Sequence, residues 1–362
     1  MTIARLNTLK IKQLLAFKDL TLEFSPGITV LIGANATGKT QVLKLTYGLL
    51  RSFREYLDAQ DQQEQPKKPH VTDKLVHLFR PDDGHIGRLV HRDVGRRSGS
   101  ATLTFGAGYF RVRISSLNSV VRHFRGTPPQ AIHIPSREVL SIYDGFMAAY
   151  ENRELRFDES YYDLCKALSA SQLRGPRGER ARELIEPLID VLGGRIVLKG
   201  SHFVLQSDHG NIEAPLLAEG FRKIGALTHL VANGSLARPS VLLWDEPEAN
   251  LNPSLVTVIS RMLRSLAASG IQVVIATHDF LLTQELSLAA EYRTEPLIPI
   301  RFIALSRARP GGAIEAQSGD TLAELGHNPI LAEFAAHYDR EQQLAAADVG
   351  SNKGTRRRRD AD

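Results

Sequence analysis

Ile28-Thr29-Val30-Leu31-Ile32-Gly33-Ala34-Asn35-Ala36-Thr37-Gly38-Lys39-Thr40 is the stretch that decides the fold. Its first five residues, apolar or β-branched, read as a buried strand, and Gly33 to Thr40 fits G-x-x-x-x-G-K-[ST], the phosphate-binding loop. The glycines permit a tight turn and close backbone approach, so that successive N–H groups across Gly33, Asn35, Ala36, Thr37 and Gly38 form a nest for phosphate oxygens. Lys39 supplies a point charge to the β- and γ-phosphates, Thr40 offers a hydroxyl to Mg²⁺, and Gln41 follows on the same turn. Lys39 to Leu50 reads as a helix, which aims its N-terminus at the anion. ATP and Mg²⁺ are the expected occupants, although these motifs alone admit GTP.

Bulk properties narrow the class. A chain of 362 residues, 43% apolar and 23% charged, reads as soluble and globular, with one to three domains. No run of eighteen apolar residues exists to span a membrane. Met1 to Lys12 lacks the apolar core of a secretory signal. The single cysteine, Cys165, excludes an intrachain disulfide and fits a cytoplasmic setting.

Residues 3–24 read as short strands around a turn at Ala16 to Asp19. Asp58 to His70 reads as an exposed linker, and Val71 to Phe79 as a short helix with Thr72 as a candidate cap. Alternation across 101–114, broken by Gly106-Ala107-Gly108, predicts a hairpin. Helices are expected over 138–152, 159–169 and 179–192, with Gly175 to Gly178 as a break, then a second hairpin over 195–206. Residues 341–362 end in Arg356 to Arg359 and read by composition as a disordered basic tail.

The net charge of +5 is unevenly placed. Arg88 to Arg125 holds eight arginines (88, 92, 96, 97, 111, 113, 122, 125) against Asp93 alone, more net positive charge than the whole chain. Arg111 and Arg113 share a hairpin face. One reading is a surface for nucleic acid or another polyanion; the other is a solvated face with salt bridges to acids elsewhere.

Val241-Leu242-Leu243-Trp244-Asp245-Glu246-Pro247 is an apolar strand ending in two carboxylates. Strands buried in parallel sheets present ligands at their C-terminal ends. Asp245 is the candidate Mg²⁺ residue, and Glu246 the group that orients and deprotonates attacking water. Pro253 opens a helix whose Leu255, Ile259, Met262 and Leu266 form one stripe. The next strand, Gln272 to Ala276, ends in Thr277-His278-Asp279, placing His278 to reach the γ-phosphate or the attacking water.

This order of phosphate loop, Asp-Glu-Pro and strand-end histidine resembles the ATP-binding-cassette superfamily, including transporter nucleotide domains and SMC/RecF-type heads. Asn35-Ala36-Thr37-Gly38 and Asp245 to Pro253 are similar to the N-A-[ST]-G-K and D-E-P-E-x-x-L-H-P of OLD-like ATPases, with Asn252 where those have histidine. Leu217-Ala218-Glu219-Gly220-Phe221-Arg222-Lys223 stands where such heads carry the signature loop that completes a partner head's ATP site. Gly220 is kept, while Ala218 replaces the usual serine. Ile134-Pro135-Ser136-Arg137 resembles the short strand-and-turn that OLD-like ATPases carry in the arm; by position it is the counterpart of the transporter loop whose Gln contacts Mg²⁺, a role that would fall here on Ser136 and Glu138.

The resemblance implies an α/β head of ABC type. It comprises a mostly parallel core sheet, an antiparallel N-terminal β-layer, a core at 1–57 and 211–340, and an inserted arm at 58–210. It implies ATP hydrolysis by two heads closing head-to-tail, beside a separately encoded effector, nuclease or toxin, in phage defence or DNA maintenance. Rival readings are a transporter subunit and a RecF/SMC-like DNA-binding ATPase.

Overall fold

Two patterns of burial build two different sheets in this computed structural model, which describes residues 4–61, 70–92, 98–115, 119–307, 309, 312–326 and 328–359. Strands with alternating burial form the first. β1 (Leu6–Leu14), β2 (Phe17–Glu23), β4 (Gly99–Phe105), β5 (Gly108–Ile114) and β6 (Ser119–Arg125) pair antiparallel in the order β2-β1-β4-β5-β6. One face is apolar and the other meets solvent, as half-buried antiparallel sheets require.

Continuously apolar strands form the second. β3 (Ile28–Gly33), β7 (Gln130–Ile134), β11 (Ser240–Asp245), β12 (Gln272–Thr277), β13 (Ile300–Arg307) and β14 (Ile314–Gly319) lie in the order β14-β13-β3-β12-β11-β7. All neighbours are parallel except β13 and β14. Residues of β3, β11 and β12 are buried throughout, since both sheet faces are covered.

The helix after the phosphate loop, α1 (Lys39–Asp61), lies between the sheets with α2 (Val71–Phe79). Val42, Leu45, Leu49 and Phe53 of α1 pack with Leu9, Ile11, Leu103 and Phe110 on one side and Leu31, Leu243 and Val274 on the other. Across the core sheet lie α6 (Glu219–Ala232), α7 (Pro253–Ala268) and α8 (Phe280–Glu291). The same cluster takes in α3 (Phe146–Glu151), α4 (Glu159–Leu168) and α5 (Gly175–Leu192), together with the antiparallel strands β8 (Arg195–Lys199) and β9 (His202–Ser207). β10 (Gly210–Glu213) pairs with β9, and α9 (Pro329–Arg359) ends the described chain.

Several expectations are corrected. The basic hairpin is part of the antiparallel β-layer, because β4 pairs with β1, and β7 is an edge strand of the core; the arm reduces to the helical and hairpin region between β7 and α6. Of the helix expected over 138–152, Phe146–Glu151 forms, after turns in which the Glu138 side chain accepts from Ser141. Gly175-Pro176 is the first turn of α5 instead of a break, since proline at that position lacks only an N–H that would go unpaired. The α2 N-cap is His70, and Thr72 lies inside the helix. Asp58 to Asp61 extend α1, and α9 continues as helix to Arg359 where composition suggested a disordered tail. Residues 62–69 of the linker, and Asp93, Arg96 and Arg97 of the basic segment, lie outside the described residues.

Candidate nucleotide site

Parallel register sets where the chemistry gathers. Ile32 of β3 pairs with Thr277 of β12, and Ala276 of β12 with Asp245 of β11. The phosphate loop, the carboxylate pair and His278 therefore emerge on one edge, at the carboxyl ends of the strands. Gly33, Ala36 and Gly38 carry positive φ (155°, 62° and 87°) and curl the loop into its concave path. A Cβ on Gly38 would stand 2.5 Å from Cζ of Phe17, so the loop is pressed onto the first sheet. Thr37 Oγ1 donates to Ala34 O at 2.8 Å, while Asn35 and Ala36 face solvent. Gln41 turns toward the same sheet: its Oε1 accepts from Ala16 N at 3.1 Å.

Lys39 Nζ donates to the carbonyls of Gly33 (2.6 Å) and Ala34 (3.1 Å), curled over the loop it is expected to serve. Burial lowers its pKa, against the opposing pull of Asp245, Glu246 and Glu248. Thr40 Oγ1 donates to Asp245 Oδ2 at 2.8 Å. Burial raises the Asp245 pKa, and the Thr40 bond opposes it. Glu246 Oε1 and His278 Nδ1 are 3.4 Å apart and both are partly exposed.

These residues fit ATP and Mg²⁺. A curled loop with a buried ammonium suits a polyphosphate, and a hydroxyl beside one carboxylate suits a hard cation that takes its remaining ligands from phosphates and water. Among the described residues, no group of three His, Cys, Asp or Glu offers an all-protein metal cage.

Sequence reading left Lys223 and Thr277 without roles. Glu246 sits at φ 49°, a left-handed conformation uncommon for a side-chain-bearing residue. Its N–H donates to Ala276 O at 2.8 Å, and the Lys223 ammonium reaches Glu246 O (3.3 Å) and Ala249 O (3.0 Å). Thr277 Oγ1 donates to Glu248 Oε1 at 2.6 Å, anchoring the next turn of the loop. A buried lysine six residues into the signature-like stretch was the available signal, but its target is set by tertiary packing.

The signature-like residues lie against the same loop from outside. Gly220 is buried, and a Cβ there would stand 2.5 Å from Leu251 Cδ2 and 3.3 Å from Asn250 O. A side chain there would press on Leu251 and the Asn250 carbonyl of its own head. Ala218, exposed, is the N-cap of α6 and makes no side-chain cap bond. The Glu138 carboxylate pairs with Arg222 Nε at 2.8 Å, which ties the end of β7 to the start of α6.

The profile of the family described as "AAA domain, putative AbiEii toxin, Type IV TA system" matches residues 50–283, well over half of the chain. The chain belongs to this AAA-domain family. The octopine permease ATP-binding protein P of Rhizobium meliloti is 40% identical over 57 residues, covering 16% of this chain and 22% of that protein. The cell division ATP-binding protein FtsE of Escherichia coli is 25% identical over 146 residues, 40% of this chain and 58% of FtsE. The chain thus spans less than two thirds of these relatives. Among solved structures, an Smc head bound to the C-terminal winged-helix domain of ScpA superposes with a TM-score of 0.52 at 13% identity, covering 88% of this chain and 98% of that one. An Smc head from Pyrococcus furiosus, also bound to ScpA, gives 0.50 at 12% identity, covering 87% and 96%. The chain is thus an AAA-domain protein with a phosphate-loop motif, and its fold is that of the ABC-type Smc heads.

Proposed function

We propose that this chain hydrolyses Mg-ATP between two head-to-tail copies in the cytoplasm, and that closing and opening of the pair regulates a separately encoded effector. The observation that carries this reading is the Glu246–His278 pair beside the Thr40–Asp245 hydrogen bond, at the mouth of the phosphate loop. Lys39 binds the β- and γ-phosphate oxygens in place of the Gly33 and Ala34 carbonyls. Thr40 and Asp245 would hold Mg²⁺, which would supply charge neutralisation at the phosphate oxygens. Glu246 orients the attacking water and takes its proton, with His278 fixing the carboxylate and Lys223 fixing the backbone beneath it. Gly220 and the start of α6 serve the partner head's nucleotide. The family's description names a putative toxin of a type IV toxin–antitoxin system, which supports a role in a two-component system.

The test is a pair of variants. Glu246→Gln keeps shape and hydrogen bonding, so ATP binds while hydrolysis falls by about two to four orders of magnitude. Lys39→Ala lowers both affinity and turnover. Parental hydrolysis in Glu246→Gln would overturn the assignment of the base, and parental binding in Lys39→Ala that of the loop. The FtsE and permease-subunit matches favour a second reading, an ATP-binding subunit of a membrane complex. Co-purification of a membrane protein with the chain would select it.

A further inference from the structure

The Glu246–His278 pair does not fix its own geometry. The two groups stand 3.4 Å apart with side chains 35% and 53% exposed, and among the described residues neither side chain has another hydrogen-bond or ion-pair partner. Exposed pairs of this kind are held weakly. What keeps His278 at its distance therefore acts through the backbone beneath it.

Glu248, which follows Glu246 and Pro247, lies at that backbone. Its side chain is buried, and its Oε1 accepts from the fully buried Thr277 Oγ1 at 2.6 Å. The same hydroxyl accepts from Asp279 N at 3.0 Å, so His278 is bracketed by two bonds to one oxygen. Asp279 in turn caps α8, its Oδ1 accepting from Leu282 N at 2.6 Å. Thr277 ends β12 and pairs with Ile32 of β3, at the strand edge where the phosphate loop begins. The turn that carries Glu246 and the turn that carries His278 are thus joined twice. One link is the backbone bond from Glu246 N to Ala276 O, and the other is the bond from Thr277 to Glu248.

The second oxygen of Glu248, Oε2, is buried without a hydrogen-bond partner among the described residues. Burial raises the pKa of this carboxyl, and the Thr277 bond opposes the rise. Burial lowers the pKa of Lys39 and of Lys223, and Glu248 is among the carboxylates that oppose it, which sets its charge between the phosphate loop and α6. A buried carboxyl with an unpaired oxygen costs stability that an apolar side chain would avoid. Packing alone does not call for such a group here.

We propose, resting on the reading of Glu246 as the base, that Glu248 is a positioning residue for hydrolysis: through Thr277 it sets His278 against Glu246. Glu248 is too deeply buried to meet the attacking water itself. A buried bond from a hydroxyl to a carboxylate is short and strong, so it holds the two turns in one register. Misplacing a reacting group by about 1 Å lowers turnover about a hundredfold. The phosphate loop hangs on β3 and α1, so the bond governs turnover and leaves nucleotide affinity to the loop.

The experiment is steady-state ATP hydrolysis by the full-length protein beside calorimetric Mg-ATP binding, with kcat expressed per site counted by calorimetry. Glu248→Ala lowers kcat by about thirtyfold to a hundredfold and leaves the Mg-ATP dissociation constant within about threefold of the parent. Glu248→Gln keeps an oxygen that accepts from Thr277 and returns kcat to within about threefold. Thr277→Val removes the donor at similar volume and lowers kcat as Glu248→Ala does. The double variant is no slower than the slower single one, since both changes break the same bond. A merely structural Glu248 lowers the thermal midpoint and leaves kcat per site unchanged. That result would overturn the proposal, as would affinity falling as far as kcat, a kcat that Glu248→Gln does not restore, or losses that multiply in the double variant. If Glu248→Ala does not fold, Glu248→Gln and Thr277→Val decide on the same terms. Glu246→Gln, run alongside, keeps the two readings apart. Its parental turnover would bring down the base and the positioning role together; its inactivity beside a parental Glu248→Ala would overturn the positioning role alone.

Discussion

Glu246 shows how a single position can be legible in type and hidden in detail. Its place at the end of an apolar strand was readable, because a carboxylate after buried β-structure falls at the ligand edge of a parallel sheet. Its left-handed backbone and the Lys223 ammonium beneath it were not, since both depend on α6 packing across the loop. His133 was hidden because its surroundings are set by α1 packing on β7. It lies on β7 with both ring nitrogens buried and without a partner among the described residues, 5.6 Å from the Tyr47 ring. Burial, reinforced by nearby Lys44, pushes its pKa down to about 3. Between about pH 3 and the ordinary value of about 6.5, the unfolded chain binds a proton that the folded chain refuses, so stability rises with pH there. The contribution is complete above about 6.5 and is lost at up to about 1.4 kcal/mol per pH unit on acidification. His133→Phe keeps an aromatic beside Tyr47 and removes that titrating group. Urea midpoints from pH 7 to pH 4 should fall less steeply in the variant; parallel curves would show that His133 is not the source.

At the scale of elements, the phosphate loop is held by a turn that precedes it in the chain. Phe17, fully buried at the start of β2, lies against Gly38, and Ala16 N donates to Gln41. Phe17→Ala should cost about 3–5 kcal/mol of stability through the cavity it leaves, and should also lower nucleotide affinity, because the loop loses its floor. Thermal melting and calorimetry check the two effects; full affinity in a destabilised variant would confine Phe17 to the core. The strands themselves were readable wherever burial was continuous or strictly alternating, as in β3, β11, β12, β4 and β5. Pairing partners were not. Nothing local tells β4 to pair with β1 across more than eighty intervening residues, so the basic hairpin read as part of an arm. Gly175 and Pro176 equally suit a break or a first helical turn, and α5 takes the second.

For the whole molecule, three layers place the two surfaces of interest apart. The nucleotide edge lies at the carboxyl ends of the core strands, and the basic face lies on the outer side of the first sheet, with α1 between the sheets. The ABC-type architecture was legible because its motifs keep a fixed order along the chain. The proposed pairing of two heads came from resemblance alone, because either surface of such an interface looks like ordinary exposed residues in one head. Gly220 illustrates this: its nearest neighbours are Asn250 and Leu251 of its own chain, although the reading also gives it a place at the partner's nucleotide. The central claim is that two heads close over ATP and that Glu246 ends that state by hydrolysis. Its most direct measurement is the mass of Glu246→Gln by light scattering, with and without Mg-ATP. The account predicts a monomer that doubles in mass only when Mg-ATP is present and stays doubled. An unchanged monomer mass under saturating Mg-ATP would contradict it.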